Sequence, residues 1–162
     1  MERLNLEVSD TLKVRIKKLH KDAVLPTYAK PGDAGMDLTA VKASYDDYGN
    51  IVYHTGLAFE IPEGYVGLLF PRSSICKEQL LLSNAVGVID SGYRGEVSFK
   101  FKPSLALDSR QCVTDRKLYG VYKVGERVGQ MIIMPYPQIE FEEAEELSET
   151  ERGEGGYGSS GK

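Results

Sequence analysis

One carboxylate, Asp90, ends an alternating apolar run and opens a glycine turn in N-A-V-G-V-I-D-S-G-Y-R-G-E-V, residues 84–97. The tip of such a turn carries one carboxylate and one aromatic, Tyr93. D-S-G is also an ordinary turn, so its surroundings must decide. In F-P-R-S-S-I-C-K, Arg72, Ser73 and Ser74 bring a guanidinium fork, two hydroxyls and the free amides of a helix start together, an anion site in principle. Asp37 lies between Met36 and Leu38 in A-K-P-G-D-A-G-M-D-L-T-A, where burial would oblige it to find a partner. Gln130 opens the apolar run of G-E-R-V-G-Q-M-I-I-M-P, and its amide carries the same obligation.

The segment R-G-E-G-G-Y-G-S-S-G-K, residues 152–162, contains a G-x-x-x-x-G-K spelling. A phosphate-binding P-loop needs a strand before its glycines, and here an acidic run stands in that place. Taken alone, a Gly/Ser-rich segment of this kind is usually disordered. It nevertheless combines Arg152, Tyr157, Ser159 and Ser160, a set that could fold over a phosphorylated, ring-bearing ligand.

Other chemistries find less support. His20 and His54 have no carboxylate or cysteine at ligand spacing, which argues against a histidine-built zinc site or a Ser-His-Asp triad. Acid–base work therefore falls to a carboxylate. Cys76 and Cys112 form no C-x-x-C and are expected as reduced thiols. A net charge of -4 disfavours nonspecific binding to nucleic acid or anionic membranes. No apolar run approaches a bilayer span and M-E-R-L-N-L-E-V-S-D lacks an export signal's apolar stretch, so a cytoplasmic location is expected.

The elements that must position these residues are strands. Leu12, Val14 and Ile16 alternate with Lys13, Arg15 and Lys17; Val97, Phe99 and Phe101 alternate with polar residues over 96–102. Residues 65–70 and 131–134 are short apolar runs suited to strands covered on both faces. K-P-G-D, D-Y-G-N, I-P-E-G-Y, D-S-G-Y-R-G and K-V-G-E punctuate them as turns. Residues 84–97 read as a β-hairpin, and 72–82 as the one short helix. The pattern predicts an all-β barrel or sandwich over 1–139. Residues 140–151 hold seven acids and no base, a solvated linker to the glycine-rich segment, so 140–162 forms a separate arm.

Together and in this order, P-G-D-A-G-M-D-L, P-R-S-S-I, N-A-V-G-V-I-D-S-G-Y-R-G, G-E-R-V-G-Q-M-I-I-M-P and R-G-E-G-G-Y-G-S-S-G resemble the five ordered motifs of the trimeric dUTPase family. The resemblance implies a distorted jelly roll assembled as a homotrimer, with sites between subunits and the C-terminal arm ordering over bound nucleotide. It implies hydrolysis of dUTP to dUMP and pyrophosphate, limiting uracil in DNA and supplying dUMP for dTTP synthesis. Asp90 would be the general base. Arg72, Ser73, Ser74, Gln130, Arg152, Ser159 and Ser160 would hold phosphates. Asn84 and Gly87 would meet uracil, Tyr93 the deoxyribose, and Tyr157 would stack on the base from the lid. Mg²⁺ would be held mainly through phosphates and water, supported by Asp37.

Four departures from the family pattern accompany the match. Tyr157 stands where Phe is usual, Ser74 where Gly is common, and Gly129 where Ala or Cys is usual. The segment 103–122 is longer than usual; it is expected as a surface loop, with a protein-docking surface as the minority reading. A dCTP deaminase shares the fold, but its catalytic glutamate would fall at Lys100, which cannot take that role. A nucleotide-sensing regulatory protein is the remaining alternative.

Overall fold

The computed structural model describes residues 11–103 and 120–156. Cys112, Tyr157, Ser159, Ser160 and most of the long 103–122 segment lie outside the described residues.

The described chain is built from short antiparallel strands: β1 (Arg15–Lys18), β2 (Met36–Thr39), β3 (Lys42–Tyr45), β4 (Ile51–His54), β5 (Leu57–Glu60), β6 (Tyr65–Phe70), β7 (Leu80–Leu82), β8 (Gly87–Ile89), β9 (Ser98–Pro103) and β10 (Arg127–Pro135). They form a pair, β1–β5, and two four-stranded sheets ordered β2-β10-β6-β8 and β3-β4-β9-β7. This is the all-β class that the alternation predicts, and it fits the jelly roll that the family resemblance implies.

The β3–β4 pairing has a local cause. In D-D-Y-G-N, Asp46 Oδ1 accepts the Tyr48 and Asn50 amides, both at 3.0 Å, and Gly49 takes the left-handed conformation that completes the turn. That turn sets β3 against β4 with Lys42 opposite His54 and Tyr45 opposite Ile51. Inward positions of β4 and β9 then meet: Ile51, Tyr53, Phe99 and Phe101 are buried. Tyr53 and Phe101 pack edge to face at 5.9 Å, and the Tyr53 hydroxyl donates to the Tyr122 carbonyl at 2.8 Å. Each fully buried large apolar side chain contributes on the order of 2 kcal/mol.

Four details differ from the sequence reading. Within 72–82 the helix is limited to Ser73–Lys77, a 3₁₀ turn, and Leu80–Leu82 is a strand instead of helix. Residues 84–97 are not a ladder-paired hairpin: β8 pairs with β6 while β9 pairs with β4 and β7. The turn carrying Asp90 thus crosses between sheets, because the two arms bury their apolar faces in different layers. The runs 65–70 and 131–134 are buried on one face and half-covered on the other: Leu69 and Met131 are buried, Leu68 and Ile132 half-buried, and Met134 is 44% exposed. Finally, the end of the long segment is core and not surface, since Val121 and Tyr122 are buried with Tyr53 and Phe101.

Candidate active site

The central sheet lines up the first group of polar residues. Strand β10 lies between β2 and β6, with Gln130 opposite Asp37 on one side and Phe70 on the other. Directly opposed residues share a sheet face, so Asp37 and Gln130 project together beside the segment that leaves β6 at Pro71 and Arg72. Gln130 Nε2 donates to the Pro71 carbonyl at 3.0 Å. The opposite end of its amide rests on the bare Cα of Gly35, where a Cβ would overlap Gln130 Oε1. Any larger residue at 35 would push the amide away.

Asp37 is the electrostatic centre of this group. Its Oδ1 accepts from Arg72 Nε at 2.6 Å and its Oδ2 from Arg127 Nη1 at 2.8 Å, with the carboxylate 16% exposed. These are charge-assisted bonds, about 1.5–3 kcal/mol each. Arg72 binds Asp37 through Nε instead of through its two terminal nitrogens. A carboxylate has about four lone-pair sites, so Asp37 can also accept from water. The sequence reading passed over Arg127; the G-E-R triplet three residues before Gln130 was the available signal.

Serines 73 and 74 differ. Ser73 is exposed at the start of the 3₁₀ turn, whereas Ser74 Oγ lies 3.5 Å from the Tyr122 hydroxyl. Arg152 is exposed, and its Nε donates to the Gly155 carbonyl at 2.8 Å, closing a local turn.

The second group follows β8. This strand is the edge of its sheet, so one side of its backbone has no strand partner among the described residues. Gly87 is pinned there by Leu69, whose side chain would sit 2.9 Å from an added Cβ. Asn84 is exposed, and the next residue, Ala85, is the one non-glycine among the described residues with positive φ (58°). Asp90 is exposed and its carboxylate has no hydrogen bond or ion pair among the described residues. The Tyr93 amide donates to the Asp90 carbonyl at 3.0 Å, which closes the turn.

Asp90 and Arg72 lie towards opposite ends of one sheet, whereas Gly87, opposite Leu69, sits near the Arg72 end. Asp90 follows Ile89, which pairs with Gly67 near the start of β6; Arg72 lies past Phe70 at its other end. From Gly67 to Phe70 the strand advances about 10 Å, at ~3.3 Å per residue, before the chain turns away towards Arg72.

No group of three or more His, Cys, Asp or Glu side chains that could hold a metal ion occurs among the described residues. No helix among them is long and apolar enough to cross a membrane. Lys100 Nζ pairs with Asp46 Oδ2 at 3.2 Å on the outer face of the second sheet.

The chain is all-β, with its candidate polar groups on the β2-β10-β6-β8 sheet and at the turn that leaves it. The dUTPase family model matches residues 21–161. Deoxyuridine 5'-triphosphate nucleotidohydrolases from Rhodococcus erythropolis (38% identical, 95% of this chain, 89% of the relative) and Nautilia profundicola (40%, 93% and 100%) are similar throughout. Among solved structures, the Staphylococcus bacteriophage 80alpha dUTPase with dUPNHPP is 34% identical at a TM-score of 0.76, covering 93% of this chain and 99% of its own. It is described among phage dUTPases that control transfer of virulence genes by a proto-oncogenic G protein-like mechanism. A dUTPase mutant from phage phi11 of S. aureus, solved to show coordination of a structural Mg(II) ion, is 29% identical at a TM-score of 0.68, covering 84% and 99%. The chain belongs to the dUTPase family.

Proposed function

We propose that this protein is a dUTP diphosphatase acting on magnesium-bound dUTP, with each active site assembled from more than one copy of the chain. Family membership over nearly the whole chain carries the activity. The separation of Asp90 from Arg72 on one sheet supports the shared site.

The chemistry follows from the groups available. Asp90, unpaired and exposed, accepts a proton from the water that attacks the α-phosphorus; dUMP and pyrophosphate then separate. A positioned base supplies about 10²–10⁴-fold, so charge neutralisation must supply more. Arg72, oriented by Asp37, meets the phosphates with Ser73, Ser74 and Gln130. Magnesium would come bound to the substrate's phosphates and would supply charge neutralisation there. Asp37, whose carboxylate has lone pairs beyond its two arginine bonds, would support its waters. Arg152, Tyr157, Ser159 and Ser160 close over the nucleotide from the arm.

Uracil reads the open backbone edge of β8 beside Asn84 and Gly87. Its donor and acceptor order differs from that of cytosine, so one fixed edge rejects the latter. The assembly is a homotrimer in this reading. Ile139 (70% exposed), Phe141 (92%) and Leu147 (88%) lie past the last strand in an acidic run and would dock on a neighbouring copy. This makes 1–139 the core and 140–162 the arm.

Complementation tests the shared site. Asp90→Asn and Arg72→Ala chains, each inactive alone, are co-expressed and purified together. A site drawing the two residues from different copies recovers about one quarter of wild-type activity in random trimers. A site within one chain recovers none. Product analysis with dUTP, dCTP, dTTP and UTP tests the activity itself: conversion of dUTP alone is expected, and conversion of dCTP would overturn the case made from Lys100.

A regulatory role is a second reading, favoured by the likeness to the 80alpha dUTPase. Tight dUTP binding without turnover would put it first.

A further inference from the structure

Outside the catalytic groups, a hydrogen-bonded chain runs from the edge strand β3 to the turn that carries Asp90. Ser44 Oγ lies 2.9 Å from His54 Nε2, and His54 Nδ1 lies 3.0 Å from Glu96 Oε2. Glu96 Oε1 accepts the Gly56 amide at 2.8 Å, and the Glu96 backbone carbonyl accepts the Tyr93 hydroxyl at 3.0 Å. A carboxylate can only accept, so His54 Nδ1 carries a proton and, in neutral imidazole, Nε2 accepts from Ser44. The next residue is fixed as well: the Val97 amide donates to the Leu57 carbonyl at 2.8 Å, and the Val97 carbonyl accepts Thr55 Oγ1 at 2.6 Å.

Tyr93 is held at both ends of this arrangement. Its hydroxyl is bound to residue 96, and its ring covers Gly95, where an added Cβ would overlap the ring and hydroxyl. The ring is still 44% exposed, so it has an open face. Its position relative to the turn is therefore set by where Glu96 sits. Glu96 in turn is anchored through both carboxylate oxygens to β4 and the loop after it. His54 and Glu96 side chains are 25% and 31% exposed, sheltered enough for the bonds to persist.

We propose that Glu96, braced by His54 and Ser44, is a positioning residue that sets the Tyr93 ring against the sugar and so determines discrimination between deoxyribose and ribose. The inference rests on the reading that Tyr93 packs on the deoxyribose. A ring held at fixed depth leaves no room for a 2′-hydroxyl; a ring free to recede admits it. Loosening the brace should raise activity on UTP relative to dUTP, an effect distinct from loss of the catalytic base.

The test is the ratio of kcat/KM for dUTP over UTP, measured with Mg²⁺ for variants whose thermal unfolding is followed in parallel. Glu96→Ala should lower the ratio about tenfold or more. Tyr93→Phe, which keeps the ring and removes only the bond to Glu96, should lower it similarly. Combining the two should add little, because both break one chain. Glu96→Gln should retain most of the ratio: its amide oxygen still accepts from Gly56, and its NH₂ can donate to His54 in the other tautomer. If Glu96→Ala fails to fold, His54→Ala tests the same brace one bond further back. Tyr93→Ala separates the two layers of the reading. If it leaves the ratio unchanged, the sugar contact fails and this inference with it. If it collapses the ratio while Glu96→Ala, His54→Ala and Tyr93→Phe do not, the sugar contact stands and the brace is overturned.

Discussion

Arg72 Nε donates to Asp37 Oδ1 at 2.6 Å, and Arg127 holds the other oxygen of the same carboxylate at 2.8 Å. Asp37 therefore spaces two guanidinium groups and fixes the direction in which Arg72 points. Removing Arg127 leaves the carboxylate with one partner and Arg72 free to swing around it. Arg127→Ala should reduce kcat/KM on magnesium-bound dUTP by about tenfold, mostly through KM, since a charged hydrogen bond is worth about 1.5–3 kcal/mol. Arg127→Lys should recover part of the loss. Unchanged kinetics in Arg127→Ala would remove the residue from the site.

Asp90 is chemically committed to nothing else in the described chain, which suits a base that must meet water. Asp90→Asn should lower kcat by about 10²–10⁴-fold. Calorimetric binding of a non-hydrolysable dUTP analogue should change by no more than about threefold, because the amide preserves size. A parallel collapse of binding would make Asp90 a structural residue of the turn.

Gly129 occupies a position where family members usually carry a side chain, and Phe99 explains the difference. The Phe99 ring lies directly over the Gly129 Cα, so an added Cβ would overlap the ring. Phe99 is 1% exposed and has nowhere to retreat. Gly129→Ala should destabilise by about 1–3 kcal/mol in urea unfolding. Phe99→Leu should lessen that penalty when the two are combined, a coupling a double-mutant cycle would detect. Additive effects would mean that the ring and the glycine do not compete for space.

Asp46 gives the fold a defined acid limb. The Asn50 side chain, followed by the Asn50 amide, the Lys100 ammonium and the Tyr48 amide, holds its pKa down at about 2 from an ordinary 3.8. The folded value lies below the unfolded one, so the stabilisation is complete above about pH 4 and is lost as pH falls towards 2. Asp46→Asn should flatten the fall in melting temperature between those limits. A profile identical to wild type would show that the β3–β4 turn does not contribute to acid stability.

Much of this was legible along the chain. The alternation of Val97, Phe99 and Phe101 identified the buried face of β9 correctly, because side-chain direction in a strand depends only on position parity. D-Y-G-N announced the β3–β4 turn, but Asp46, whose carboxylate accepts the turn's amides, lies one residue before that signal. Asp37 was recognised as a buried carboxylate needing a partner, but neither partner could be named: Arg72 is 35 residues away and Arg127 is 90.

The strand partners were less accessible. Residues 84–97 carry hairpin signals, yet the two arms enter different sheets, and parity says nothing about which strand lies alongside. His54 offered no ligand spacing in sequence, while the fold lays Ser44 and Glu96 against its two ring nitrogens. Its partners are 10 and 42 residues distant.

The sequence by itself determined the strand class, the turns, the ordered motifs and the family, since these depend on residue type and short spacing. Tertiary structure alone decided that Asp37 bridges two arginines, that Glu96 braces Tyr93, and that Asp90 and Arg72 stand at opposite ends of one sheet. The first and third arise when β2, β6, β8 and β10 are hydrogen-bonded side by side, and the second when the chain past Tyr93 is laid against β4 and the loop after it, orderings set by burial of whole faces instead of by any local run of residues.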